Sequence, residues 1–502
     1  MSFVSLTGLI FSPLVLAGGL LCIPDSKSKY ISWVALALSV LVFGYSLLIA
    51  AAYEPSLVPT LQHNEKVPWM VGFGIFYNVA IDGLSLGLVL LTTFLTPLVI
   101  LASVTYIQKS RKLYYVLLLI LETTMLGTLV AQDLFLFYVF WESMLFPMLL
   151  IIGIWGGERR IYASLKFFLY TLVGSLLMLV GIFVLMAFHK EQMGFYSADF
   201  QDLYKLMIPG GIRIFDMQSL LFMAFMFAFA VKVPVFPLHT WLPDAHVEAP
   251  TGGSVILAGI LLKMGIYAMV RLALPLFPQA TLAYAPWLVG LGIVGIIYGS
   301  CMALAQEDVK KLVAYSSVSH LGYCVVGIFV LNMNGLNGSM VQMLSHGLTT
   351  GALFTLVGFL YERFHTRHMG ALGGLARLNP MWVVMLVAIT LGSIGLPSTS
   401  GFVGEFLVLM GGYQVHWGIA LLSGLGVVLG SVYMLWMVQK ICFGQASVTT
   451  SHLRPPDLSL REWAALLPYV VMMFGLGMGS PWVVKYMEPS LMHLLSRVEG
   501  IH

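Results

Sequence analysis

Charge is what this 502-residue chain has least of: 25 Lys and Arg and 22 Asp and Glu make up 9% of the residues, against about 25% in soluble domains. So thin a supply of charge cannot wet the surface of a soluble globule of this length. The net charge of +3, without Lys and Arg clustered beside stacking aromatics, excludes a nucleic-acid binder. Cysteine is equally scarce. Cys22, Cys301, Cys324 and Cys442 stand far apart, mostly in apolar runs, and lack the close spacing of a zinc site, an iron–sulfur cluster or a redox pair. They read as apolar filler. No basic segment precedes the apolar stretch from Phe3 to Leu21, so that stretch is expected to be a retained span and not a cleaved signal.

What is present instead is apolar sequence, 59% of all residues, in runs long enough to cross a hydrocarbon core of roughly 30 Å with about 20 residues each. The expected fold is an all-α polytopic membrane protein of about fourteen spans, at 3–22, 31–52, 84–106, 113–131, 134–154, 164–188, 217–247, 251–275, 283–304, 310–331, 338–361, 381–411, 417–440 and 463–485. Basic residues stay on the cytoplasmic side of a membrane. With the first residue placed outside, the inside loops collect Lys109, Arg111, Lys112, Arg159, Arg160, Lys310, Lys311, Arg363 and Arg367 among others. The outside segments hold only Lys66, Lys190, Lys205, Arg213, Lys485 and Arg497. Both termini are therefore expected outside.

The seventh and twelfth spans are too long for one straight crossing, and both carry helix breakers near the middle. Pro234 and Pro237 interrupt one, and Gly395, Pro397 and Gly401 the other, so both are expected to be discontinuous helices of the kind that bind ions in transporters. Lys232 and Glu405 lie beside these breaks, 173 positions apart, and Glu142 and His320 are 178 apart. That offset predicts a repeat of five spans, and an odd number of spans inverts the second copy. The expected organisation is 1–112 (three spans), 113–275 (first repeat), 276–440 (second, inverted repeat) and 441–502 (loop, last span and tail).

A charged side chain at a helix centre costs about 2.5–3.5 kcal/mol, so each one needs a partner, water or a function. Six such groups stand out: Glu142 in FYVFWESMLFP, Lys232 in FAFAVKVPVFP, Lys263 in AGILLKMGIY, His320 in YSSVSHLGY, His346 in QMLSHGLTT and Glu405 in SGFVGEFLV. One Glu–Lys pair alone reads equally as a structural ion bridge, and one histidine as a hydrogen-bonded packing group. Two acids, two lysines and two imidazoles over six spans read as a proton relay, because burial and nearby opposite charge tune their proton affinities in opposite senses. Glu122 is either a further proton donor or a satisfied packing acid. His239, Asp244, His246 and Glu248 surround a broken helix end, where capping and turn formation account for them without a metal. GLGIVG at 290–295 lies inside a hydrophobic span and not between a strand and an amphipathic helix, so helix packing through small residues explains it better than dinucleotide binding.

From about Asp82 to Gly444 the segments FWESMLFPMLLIIGIWG, FAVKVPVFPLHTWLPDAHVEAPTGGSVILAGILLKMGIY, DVKKLVAYSSVSHLGY and GLPSTSGFVGEF resemble subunit M of bacterial respiratory complex I, an antiporter-like subunit of NADH:quinone oxidoreductase. The wider superfamily includes subunits L and N, multisubunit cation/proton antiporters and membrane-bound hydrogenases. Glu405, where those relatives usually present lysine, and the early end of the chain point to the M type. The resemblance implies that Glu142 and Lys232 form a switching pair, Lys263 a central relay, His320 and His346 a link, and Glu405 a terminal group. It also implies proton translocation in a bacterial inner membrane beside L-type, N-type and smaller membrane subunits. NADH, FMN, iron–sulfur clusters and quinone would belong to partner subunits, with no cofactor or metal in this chain. The rival readings are an antiporter or hydrogenase subunit, and a membrane scaffold whose ion pairs fix helix packing.

Overall fold

The computed structural model describes residues 5–24, 28–55, 61–210, 213, 215–445 and 455–500; Phe3 and Val4 of the first expected span lie outside them. Long apolar helices follow one another: α1 Leu6–Leu21, α2 Ser28–Ala52, α3 Gly83–Ser103, α4 Arg111–Val130, α5 Leu134–Ser143 with α6 Leu145–Trp155, α7 Arg160–Met193, α8 Met217–Lys232 and α9 Trp241–Glu248. The second half has α10 Thr251–Leu276, α11 Pro278–Leu304, α12 Val309–Phe329, α13 Met333–Phe364, α14 Pro380–Ser393, α15 Ser400–Val415, α16 Trp417–Cys442, α17 Leu460–Met478 and α18 Ser480–Glu499. This is the multi-pass helical membrane fold that the apolar runs predict.

By length and composition ten helices among the described residues can each cross a membrane, eleven if α17 and α18 count as one bent span, against the fourteen expected. The difference falls on α1, on the broken seventh and twelfth spans, whose first pieces α8 and α14 have 16 and 14 residues, and on the last span. That last span, expected to run straight over 463–485, turns by 70° after Met478. Gly479 and Pro481 explain the turn, since proline at the start of a helix is compatible with α18 but cannot extend α17. What the sequence suggested was a tail is thus a twenty-residue helix.

Both expected breaks are present. α8 ends at Lys232 and α9 starts at Trp241; α14 ends at Ser393, and α15 starts at Ser400 after Gly395, which turns through a left-handed φ of 77°. A milder interruption separates α5 from α6 at Met144, where Pro147 withholds an N–H from the carbonyl four residues earlier.

Two helices form the centre. The most apolar windows of α10 and α13 are buried over their whole length, whereas those of α2 and α16 are mostly outward-facing, 28% and 22% buried. α10 is further marked by two π-helical turns, Leu257–Leu261 and Met269–Ala273, wide turns that recur at functional sites.

An antiparallel hairpin that the sequence reading did not include, β1 Gln62–Met70 and β2 Ile75–Ile81, fills the connection between α2 and α3. Its turn passes through Gly74 at φ 65°, where a Cβ would lie 1.8 Å from Tyr196 O, so only glycine fits. The hairpin is fastened over the start of α5: Asp133, the N-cap of α5, accepts from Phe76 N–H (3.0 Å), and Asp199 accepts from Asn78 (2.8 Å) and Lys66 (2.7 Å).

Candidate functional site

The six ionisable residues picked out in the sequence fall into two groups within the helical bundle. The first is on α5 and α8. Glu142 sits at the end of α5 beside the interruption at Met144, with one carboxylate oxygen buried and without a hydrogen bond. Ser175 of α7 and Lys232 are the polar groups that act on it, but the Ser175 hydroxyl donates to Leu172 O at 2.9 Å. Lys232 is 1% exposed and occupies the last turn of α8, where unpaired helix carbonyls concentrate negative potential. Its ammonium makes no hydrogen bond and lies 5.1 Å from the centre of the Trp141 ring. Lys232 and Glu142 therefore act on each other through electrostatic attraction, without a direct hydrogen bond or ion pair.

The second group is closely spaced. Lys263 on α10, 0% exposed, donates to Ala258 O inside the first π turn and lies 2.5 Å from His346 Nδ1. The His346 ring on α13 is 5.7 Å, centroid to centroid, from the His320 ring on α12. His320 Nδ1 is 3.0 Å from Glu405 Oε1 on α15. Each ring keeps its Nε2 buried and unpaired. Four residues from four helices thus line up as amine, imidazole, imidazole and carboxylate, and every member is 7% exposed or less.

Helix contacts hold the two groups near each other. Gly265, half a turn beyond Lys263, lies so close to α8 that a Cβ there would be 2.5 Å from Val233 Cγ2 and 2.9 Å from Phe229 O. The end of α8 that carries Lys232 is thereby pressed against the stretch of α10 that carries Lys263.

Glu122, at the centre of α4, is 0% exposed with both carboxylate oxygens unpaired. Its polar neighbour Thr96 turns its hydroxyl to Thr92 O at 3.1 Å.

Gln342, which does not titrate and so does not stand out in the sequence, belongs to the second group. Its amide nitrogen lies 3.2 Å from Glu405 Oε1 and 3.4 Å from His320 Nδ1, so it fixes the carboxylate against the imidazole. The signal was available: Gln342 precedes His346 by four residues and so shares its face of α13. Capping, which the sequence suggests for His246 on α9, does not describe it: it is fully buried, stacks on Phe354 at 4.5 Å and has both ring nitrogens unpaired. Lys263 and Lys310 are the charges that act on it. The other members of that cluster separate: Asp244 pairs with Lys166 at 2.7 Å, His239 packs on Tyr298, and Glu248 accepts from Arg159 N–H at 3.0 Å.

The chain is similar to known proteins over nearly its whole length. Residues 131–432 match the family model described as NADH:quinone oxidoreductase/Mrp antiporter, TM, and residues 26–130 that of NADH-ubiquinone oxidoreductase chain 4, amino terminus. NADH-quinone oxidoreductase subunit M of Rhodobacter capsulatus is 46% identical over 470 residues, covering 92% of this chain and 90% of its own. NADH-ubiquinone oxidoreductase chain 4 of Marchantia polymorpha is 40% identical over 492 residues, covering 98% and 97%. A chain of respiratory complex I from Thermus thermophilus with bound NADH superposes with a TM-score of 0.86 at 30% identity, over 99% of this chain and 100% of that one. A chain of the Mrp complex from Dietzia sp. DQ12-45-1b reaches 0.84 at 22% identity, a likeness of fold alone. With both parts of the sequence matched and relatives aligned over nearly their whole length, this chain belongs to the subunit M family of NADH-quinone oxidoreductase.

Proposed function

We propose that this chain is the proton-translocating membrane-arm subunit of an NADH:quinone oxidoreductase and that Glu142, Lys232, Lys263, His346, His320 and Glu405 carry the protons. The observation behind this reading is the buried array from Lys263 through His346 and His320 to Glu405. A scaffold needs ion pairs that are closed and satisfied. Here both imidazoles leave a ring nitrogen free, and Lys232 and Glu142 leave polar atoms unpaired, which suits groups that exchange protons.

The donor types favour protons over a metal cation. Hard cations are held by several oxygens, and along this array the side-chain oxygens are those of Glu405 and Gln342, with the Ala258 carbonyl at Lys263, beside three nitrogen groups. In the proposed cycle Lys232 holds a proton while Glu142 faces it. Movement of Glu142 away removes the counter-charge, and the proton passes to Lys263, then through His346 and His320 to Glu405, from which it leaves on the outer side. Glu122 and His246 are accessory groups bordering the route. The division at 113–275 and 276–440 assigns one half-channel to each inverted repeat.

Electron transfer belongs to partner subunits that hold NADH, FMN, iron–sulfur clusters and quinone; L-type, N-type and smaller membrane subunits are the neighbours. The location is the bacterial inner membrane with both termini outside, supported by the crowding of Lys and Arg on the opposite side.

The test is Lys263→Ala in inverted membrane vesicles, with NADH oxidation, interior acidification and the amount of assembled complex recorded together. Assembled complex that loses both activities supports the reading. Assembled complex that oxidises NADH and acidifies the interior as before sinks it.

A further inference from the structure

A cavity of ≈ 770 Å³ among the described residues is remote in character from the ionisable array. It is bounded by α2, α3, α13, α17 and α18, and no charged residue lines it. Phe43 of α2, Phe94 of α3, Leu348 of α13 and Val471 of α17 line its walls, and Tyr53, Trp482 and Tyr486 lie at its mouth end, where α2 ends and α3 begins. Along α3 it extends from Gly83 to Phe94, which at about 1.5 Å per residue is roughly 16 Å. That is about half of a hydrocarbon core of roughly 30 Å, the depth of one leaflet.

The mouth has the features of a membrane–water boundary. The Tyr486 ring centroid lies 5.7 Å from that of Trp482 and 6.1 Å from that of Tyr53, and amphipathic rings of this kind collect at headgroup level. The 70° bend between α17 and α18 carries α18 across this opening. On α18, Trp482, Lys485 and Tyr486 follow at i, i+3 and i+4 and so share one face. Lys485 is exposed and makes no ion pair or hydrogen bond among the described residues. Exposed Glu54 follows Tyr53 in the chain and brings an opposite charge next to that lining residue.

We propose that this groove holds one acyl chain of a zwitterionic phospholipid, with the headgroup phosphate at Lys485 and its amine toward Glu54. An apolar slot one leaflet deep, with aromatic rings at one end and one charge of each sign beside them in the chain, matches a lipid in length and polarity. A helix from a neighbouring subunit would need a slot continuing across the second leaflet.

The test uses the purified complex containing this chain in vesicles of phosphatidylethanolamine doped with an analogue bearing a diazirine midway along one acyl chain. After illumination, labelled peptides are mapped by mass spectrometry. Label is expected to concentrate on Leu90, Phe94 and Leu348 over the exposed face of α7 at Leu169, Val173 and Val180. Ala51→Trp, which fills the slot, removes most of the groove label and leaves α7 labelled. Where Ala51→Trp lowers assembly, Leu47→Phe takes its place. Lys485→Ala raises the analogue concentration needed for half-maximal groove labelling roughly two- to fivefold, the range of an exposed ion pair. Groove label no denser than that on α7, or groove label unchanged in the filled variant, overturns the proposal. Absence of groove label with α7 labelled also overturns it and gives the slot to a neighbouring polypeptide.

Discussion

Arg271 and Asp82, 189 residues apart in sequence, form an ion pair at 2.6 Å that is buried from solvent. Asp82 also caps α3, accepting from Ser85 N–H at 3.0 Å, and Arg271 lies in the second π turn of α10. The pair thus pins the start of α3 to the helix that carries Lys263. Removing one partner strands the other in a buried site, at a cost of about 3–5 kcal/mol. Asp82→Ala is therefore expected to deplete assembled subunit and lower its thermal midpoint in detergent. The double replacement Asp82→Ala with Arg271→Met should recover most of that loss.

Lys263 and His346 act as one unit if the array conducts. His346→Leu and Lys263→Ala are each expected to abolish coupled pumping, and the double variant to be no worse than either single one. Additive losses in vesicle acidification would show that the two residues work independently.

Glu142→Gln keeps the size of the side chain and removes its charge. The complex is expected to assemble, while NADH oxidation and interior acidification fall by about tenfold or more, the scale of losing a positioned proton-transfer group. Assembled complex with normal turnover would make Glu142 structural. Glu122→Gln is expected to have the smaller effect, since Glu122 lies off the contact chain.

Gly265→Ala tests the approach of α8 to α10. The added methyl meets Phe229 O, a backbone atom, at 2.9 Å, so the helices must part. The expected result is about 1–3 kcal/mol of destabilisation, with a drop in coupled turnover larger than the drop in assembled complex. Equal drops in the two would show that the contact serves packing alone.

The long apolar runs, the breaks at Pro234 and Gly395, and the isolated charges inside those runs were legible because each violates or satisfies a rule of the bilayer one residue at a time. Pairing was not. Nothing in the separate segments shows that His320 reaches Glu405 while Lys232 reaches no direct partner, since both facts depend on how α8, α12 and α15 pack. Gln342 escaped notice because it does not titrate, and Arg271 because it was absorbed into the apolar run 251–275. The hairpin at 62–81 was hidden because its first strand, QHNEKVPWM, lacks an alternating apolar pattern and its anchor residues Asp133 and Asp199 lie far along the chain.

The two helices that bring the imidazoles together are also the least greasy of the ten spanning helices, with mean hydropathies of 1.5 and 1.4 over the most apolar 18 residues of Val309–Phe329 and Met333–Phe364. A polar interior useful in the finished subunit works against entry into lipid during synthesis. The connection between them is three residues long, so the pair is expected to leave the translocation machinery as a joined hairpin, each helix shielding the polar face of the other. A nascent chain cut after Phe329 should then leave its last helix outside the bilayer more often than one cut after Phe364, readable from the protease protection of a terminal tag.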